Sequence, residues 1–295
     1  MNQTRKLPAL LLVLLLLTGC SAPEGKETEA PAQPPTEITA PVETVPETTA
    51  APVPETTTSP VPETTEAPTE ETVPYEVTIT PVITSSQTQV TVTTADEFLA
   101  AIGPDTEIIV DAPLIDFSQA SNYGQNVSSQ YYYWNETFDG PELMICGVSN
   151  LTIRGSGEDR TANVLSSVPR YSNVLCFLNC SNIHVVGFTA GHTVEPGSCT
   201  GGVLFFENSQ DILIENCGLF GCGTLGVIGY SSKNMQIVNN EIYECSIGGV
   251  EFTNCDDVNV DGNIFRDLGG RVFRVYGCGS ITCNGEAVDD FSPRQ

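Results

Sequence analysis

A four-residue motif, polar, apolar, any, apolar, recurs through the second half of the chain and dictates what it can fold into. It reads NLTI at Asn150, NIHV at Asn182, DILI at Asp211, NMQI at Asn234, DVNV at Asp257 and SITC at Ser280, with spacings of 32, 29, 23, 23 and 23 residues. A period in the twenties, with strand alternation inside each unit and Gly or Asn at its corners, is the signature of a solenoid whose coils stack their strands. Apolar residues that recur at every second position exclude helical repeats. After the motif each unit turns a polar corner (Asn216-Cys217, Asn239-Asn240, Gly262-Asn263), then passes a short strand and a Gly-rich turn. A second strong strand follows: GVLFFEN from Gly202, GVIGYSS from Gly226, GVEFTNC from Gly249 and RVFRVYG from Arg271.

These units resemble the right-handed parallel β-helix repeats of the pectate-lyase-like superfamily, clearly over Asn150–Cys283 and more loosely back to Val90. The resemblance implies an all-β, right-handed parallel β-helix solenoid, with the Asn-rich corners stacked into a side-chain amide ladder. TTADEFLAAIG resembles the amphipathic N-terminal capping helix of such solenoids, with Phe98, Leu99 and Ile102 on one face. A cap is required physically, because the first coil otherwise exposes a bare strand edge and its core. TEIIVDA from Thr106 is expected to be the first coil strand, and no capping helix is legible at the C-terminus.

Residues 1–19 carry Arg5 and Lys6, an apolar run from Leu7 to Leu17, and small residues before Cys20. This is a secretory signal rather than a span, since the run falls short of the roughly 20 apolar residues a membrane helix needs. Leu17-Thr18-Gly19-Cys20 resembles the lipobox of bacterial lipoproteins, which implies a lipid-modified Cys20 and an anchor to the outward face of a bacterial membrane. Residues 20–74 are rich in Pro, Thr, Glu and Ala, with eleven glutamates against Lys26. Such a segment is a disordered, extended stalk reaching at most about 170 Å, followed by the solenoid domain over 75–295.

Beyond Pro74 there are eight Lys and Arg against 26 Asp and Glu, which argues against nucleic acid or anionic lipid as partners. Ten cysteines follow Cys20. Cys222 and Cys245, like Cys255 and Cys278, stand 23 apart, so each pair occupies adjacent coils about 4.8 Å apart with parallel side chains. That geometry favours free thiols as small apolar fillers over disulfides. No cofactor is expected; the alternative is calcium at Asp256-Asp257, a corner beside Asp261 with two or three carboxylates but no full loop pattern.

Chemistry is expected on the outward columns of the Gly-initiated strands. Alternation buries Leu204, Val227, Val250 and Phe273, and Phe206, Gly229, Phe252 and Val275. It leaves Phe205, Ile228, Glu251 and Arg274 in one outward column and Glu207, Tyr230, Thr253 and Tyr276 in the other. The six surplus residues of the second unit fall near His192–Cys199, as a loop overhanging these columns that brings His192 and Glu195 to them. Aromatic rings beside carboxylates, an arginine and a histidine suit a polysaccharide groove. The competing reading is a solvated face on which Glu251 and Arg274 form a cross-strand ion pair. YYYWNETFDG, from Tyr131 to Gly140, either packs as a lid or serves as a sugar platform, and His184 points outward from an anchor strand. The chain lacks the Gly-His-Gly, Arg-Ile-Lys and strand Asp-Asp features of polygalacturonases and the Asp-His segment of pectate lyases. The expected function is therefore that of a cell-surface lipoprotein whose β-helix binds a glycan or another envelope or host component without catalysis; the alternative is a lyase, hydrolase or epimerase acting on polysaccharide in a groove on the outer face.

Overall fold

Fifteen non-glycine residues with positive φ punctuate the described residues of the computed structural model, and most fall into columns that repeat once per coil. The structure describes residues 86–289 apart from 196, 198 and 222. The expected signal segment, Cys20, the stalk and Cys222 lie outside the described residues. One corner column holds Gly147, Asn179, Asn208, Ser231, Asn254 and Gly277; another holds Asn150, Asn182, Asp211, Asn234 and Asp257; a third holds Gly187, Asn216, Asn239 and Gly262. Asn, Asp and Gly tolerate the left-handed region that costs other residues roughly 1–2 kcal/mol. This is why the polar corners occur where they do.

Between corners the chain runs through three sheets. The anchor sheet stacks Thr88–Val92, Thr106–Val110, Ser149–Gly155, Ser181–Val186, Gln210–Glu215, Lys233–Val238, Asp256–Asp261, Ile281–Cys283 and Glu286–Ala287. A second sheet of short strands runs from Leu114–Asp116 through Val164–Ser167, Thr189–His192, Gly218–Phe220 and Glu241–Tyr243 to Ile264–Arg266. The third stacks Tyr132–Glu136, Pro141–Cys146, Leu175–Leu178, Leu204–Glu207, Val227–Tyr230, Gly248–Thr253 and Arg271–Tyr276. Pairing is parallel except for two terminal hairpins, Tyr132–Glu136 on Pro141–Cys146 and Ile281–Cys283 on Glu286–Ala287. The result is the expected parallel β-helix.

Register in the third sheet follows the sequence repeat: Leu204 pairs with Val227, Val227 with Val250 and Val250 with Phe273. The inward stacks are apolar throughout, and Phe177 lies on Phe206 with ring centroids 4.8 Å apart and planes 6° off parallel. At the corner after the anchor strand an amide ladder forms, but it is short. The Asn240 Oδ1 accepts from the Cys217 N–H at 2.8 Å, and the Asn240 Nδ2 donates to the Ile214 carbonyl at 2.9 Å and to the Asn263 Oδ1 at 3.0 Å. Asn263 repeats the pattern with Ile237, while Cys217 replaces the next amide and points its thiol at the Glu215 carbonyl. At the corner leading into the anchor sheet, Cys180, Ser209, Ser232, Cys255 and Cys278 each direct a thiol or hydroxyl to the carbonyl two residues earlier. The described cysteines are all free, and burial pushes the Cys217 and Cys245 thiols up to about 12.

The helix Ala95–Ala101 buries Phe98 and Leu99 as expected, Ile102 is buried just past its end, and Thr94 caps its N-terminus by accepting from the Glu97 N–H. The expectation that Thr106 opens the first coil is corrected: Thr88–Val92, ahead of the helix, already pairs with Thr106–Val110. Its exposed Thr and Gln residues hide the alternation. At the other end, among the described residues, the chain turns back on itself in an antiparallel pairing at Asn284-Gly285 rather than entering a capping helix. Asp256 and Asp257 open an anchor strand that Asp261 closes, so they stand about 13–17 Å from it along the backbone and the three do not converge on one ion. Backbone amides engage them instead, with Ser280 N–H on Asp256 and Asn284 N–H on Asp261.

Candidate functional site

Each outward position of the third sheet is set by the inward one beside it, since successive side chains on a strand take opposite faces. Phe205, Ile228, Glu251 and Arg274 are in direct register, as are Glu207, Tyr230, Thr253 and Tyr276. Glu251 is held at both oxygens: the Tyr230 hydroxyl donates to Oε1 at 3.0 Å, and the Arg274 Nε donates to Oε2 at 2.7 Å. The Tyr230 ring lies 5.7 Å from that of Phe205, and the Arg274 guanidinium lies 5.8 Å from the Tyr276 ring centroid. Burial, followed by the bond to Glu251, raises the Tyr230 hydroxyl above its ordinary range, and the same carboxylate raises Arg274. Tyr230 and Arg274 thus stay protonated at neutral pH, fixing a phenol and a guanidinium around one anion.

A cavity of about 310 Å³ opens over this cluster. Phe205, Ile228, Tyr230, Glu251 and Arg274 line it, together with Asn173, Thr200, Thr224, Leu225 and Ile247. Thr200, Thr224, Leu225 and Ile247 come from the Gly-rich turns that feed the sheet. Gly201, Gly202, Gly248 and Gly249 let these turns stack closely, because a Cβ on any of them would meet a neighbouring coil within 3 Å. Asn173 is fixed from both sides: its Oδ1 accepts from the Gly202 N–H at 2.8 Å, and its Nδ2 donates to Glu142 at 2.8 Å. The sequence repeat locates the columns but not Asn173, which lies two residues before the strand Leu175–Leu178 in a coil longer than 23 residues.

The loop residues behave differently from the expectation. His192 ends a short strand of the second sheet and is 2 % exposed, so its ring does not overhang the third-sheet columns. The His192 Nε2 donates to the Ser172 carbonyl at 2.9 Å, which leaves Nδ1 as the lone-pair nitrogen, buried and without a partner. Burial holds the ring below its ordinary value against the opposing effect of that bond, so it is neutral. His192 and Glu195 line a separate cavity of about 400 Å³ with Phe220, Glu244 and Ser246. The structure therefore brings Phe205, Tyr230, Glu251 and Arg274 together, sets Glu207 and Tyr276 beside them, and removes His192 and Glu195. Aligning Thr189-Ala190-Gly191 with Gly218-Leu219-Phe220 would have placed His192 at a strand end. His184 faces outward from the anchor sheet as expected, 2.8 Å from Glu215.

The aromatic segment is packed in part and exposed in part. Tyr132 is buried, and Trp134 packs edge-on against Tyr123 at 5.1 Å while its Nε1 donates to Asn122. Tyr133, between them, faces out opposite Met144 on the third sheet. Among the described residues no group of three His, Cys, Asp or Glu is placed to hold a metal ion, and no helix is long and apolar enough to cross a membrane.

A family model described as a right handed beta helix region matches residues 143–290. No curated protein sequence matches the chain. Among solved structures, the chain is similar to a candidate glycosyl hydrolase from Parabacteroides merdae, with a TM-score of 0.38 and 12% identity over 64% of this chain and 96% of that one.

Proposed function

Since the chain belongs to the right-handed β-helix family, its sheet faces are its largest regular surfaces, and we propose that the outward face of the third sheet binds a glycan without catalysis. One contrast carries this reading. The central outward column of the anchor sheet is mostly polar (Thr152, His184, Leu213, Gln236, Asn259, Thr282), with Thr152 and Leu213 buried in it. The corresponding third-sheet column sets the half-buried Phe205 and the buried Ile228 into the lining of the cavity, beside Tyr230 and a neutralised Glu251–Arg274 pair. An outward-facing cavity lined by apolar and aromatic side chains with a few fixed polar groups is the informative departure. Sugar rings offer apolar faces to stack on such rings and hydroxyls to bond to such charges.

Glycoside hydrolysis needs a second carboxyl group about 5–9.5 Å from the first, each free to exchange a proton or attack. Both Glu251 oxygens are committed to Tyr230 and Arg274, which supports a fixed acceptor rather than a nucleophile. The lipobox-like segment before Cys20 and the acidic, proline-rich stretch after it support a protein anchored by lipid to the outward face of a bacterial membrane, with the solenoid held at a distance. The test is a glycan array probed with the purified full chain, scored both for retention and for released product. Retention lost in Tyr230→Ala and Glu251→Gln but kept in Lys233→Ala is the expected result. Release of shortened, unsaturated or epimerised sugar would transfer the face to a polysaccharide lyase, hydrolase or epimerase.

A further inference from the structure

The cavity that holds His192 stands apart from the third-sheet face, at the ends of three consecutive short strands of the second sheet. Its lining is one-sided. Glu195 and Glu244 bring two carboxylates to about 400 Å³ of space beside the apolar Val194 and Phe220, and no lysine, arginine or amide side chain lines it. The Ser246 hydroxyl in its wall already donates to the Gly223 carbonyl at 3.2 Å, so that oxygen too is left as an acceptor.

Nearby carboxylates are neutralised, and these two are not. Glu241, which opens the strand that Glu244 follows, takes both Arg160 and Arg266, and Glu251 takes Arg274. Among the described residues no cation and no hydrogen-bond donor engages the side chain of Glu195 or Glu244. The Arg170 guanidinium comes against Gly197 at the rim of the cavity but pairs with neither. The wall holds a further unmet acceptor: His192 is buried, its Nε2 is spent on the Ser172 carbonyl, and its Nδ1 lone pair meets no donor. Gly223 keeps the space beside that nitrogen clear, since a Cβ there would stand 3.3 Å from it. A buried acceptor without a donor is costly enough to need a reason.

We infer that this cavity is a site for an alkylammonium group that carries a second N–H donor farther along, the chemistry of a lysine residue or of an alkyl diamine. Such a ligand supplies what the lining lacks. Its ammonium answers the carboxylates of Glu195 and Glu244, its second donor answers the His192 Nδ1, and its methylene stem lies against Val194 and Phe220. A metal ion fits less well, because among the described residues no three His, Cys, Asp or Glu converge as a metal requires, whereas a ligand with separated donors can span separated acceptors. The domain's field draws such a cation in, with eight Lys and Arg against 26 Asp and Glu beyond Pro74. The cavity shares no lining residue with the one over Glu251 and is independent of the glycan-binding reading.

The experiment is calorimetric titration of the full chain at low salt with cadaverine, with Nα-acetyl-lysine amide, with pentylamine and with calcium chloride. Cadaverine or the lysine amide should bind one-to-one, and pentylamine, which lacks the second donor, should bind several-fold more weakly. The tighter of the first two identifies the source, a free diamine or a lysine-bearing partner. Glu195→Gln and Glu244→Gln, at exposed side chains, should each weaken binding about fivefold, whereas Glu286→Gln, which removes the same charge from the last strand of the anchor sheet, should leave it unchanged. His192→Phe should bring cadaverine down to the level of pentylamine. Equal weakening by all three glutamine variants overturns the site and leaves only the general field of an acidic domain. Calcium that displaces cadaverine from the wild-type chain but not from the Glu195→Gln variant overturns the ammonium assignment. Pentylamine bound as tightly as cadaverine overturns the role of His192, and failure of every amine to bind overturns the whole inference.

Discussion

Replacing Asn240 with alanine removes the central rung of the amide ladder, and its cost can be worked out from the bonds lost. The Cys217 N–H, fully buried, loses its acceptor at 2.8 Å, and an orphaned buried donor costs about 1–3 kcal/mol. The Ile214 carbonyl and the Asn263 amide also lose the Asn240 Nδ2, worth about 1 kcal/mol more. Together the loss is roughly 2–4 kcal/mol, a large part of a typical folding free energy of about 5–15 kcal/mol. With an m-value of about 2 kcal/mol/M, the urea midpoint should fall by roughly 1–2 M without a change in slope. Asn239, one residue earlier, supplies the control. Its φ of 56° is what the corner needs, and its backbone N–H still reaches the Asp261 carbonyl in a glycine variant. Asn239→Gly should therefore shift the midpoint by less than about 0.3 M, the few tenths of a kcal/mol expected where glycine suits the conformation. Equal shifts in the two variants would refute the view that adjacent asparagines do different jobs, one conformational and one as a hydrogen-bonding rung.

Val250 lies wholly inside the stack and Thr253 on the outward column, so Val250→Asp should cost several kcal/mol in chemical denaturation, while Thr253→Asp should stay within about 0.5 kcal/mol. His192 gives a pH signature: burial lowers its folded value below the ordinary 6.5, so the unfolded chain takes up the proton first. Stability should be complete above about pH 6.5 and decline as pH falls toward the folded value, and thermal melts of His192→Gln should lack that decline. Cys20→Ser should abolish membrane retention and fatty-acid labelling; label persisting on the variant would contradict the anchor.

Much of the fold was legible because a coil of 23 residues repeats its physics. Every third-sheet partner from Leu204 to Tyr276 could be paired from spacing alone, and the left-handed corners advertise themselves as Asn, Asp and Gly. Legibility fails where the repeat does. Thr88–Val92 shows only one fully buried residue, too little alternation to announce an edge strand. The hairpin of Tyr132–Glu136 and Pro141–Cys146 is antiparallel and carries no motif, so Tyr133 could not be assigned to the groove face. Asn173 and the Gly-rich turn residues are equally silent, since side chains on a turn ahead of a strand carry no alternation to show which way they face. His192 was misplaced because the insertion begins after it, and a histidine at the edge of a loop reads as exposed when it is in fact the last buried residue of a strand.

The central claim is that Tyr230 and the Glu251–Arg274 pair form a glycan-binding surface. Its most direct test is the affinity of the full chain for the best-retained array glycan, measured beside Tyr230→Ala and Glu251→Gln with far-ultraviolet circular dichroism as the check on folding. A loss of about 1–3 kcal/mol in each variant, with unchanged spectra, is the predicted result. Affinity that survives both substitutions in a folded protein would contradict it.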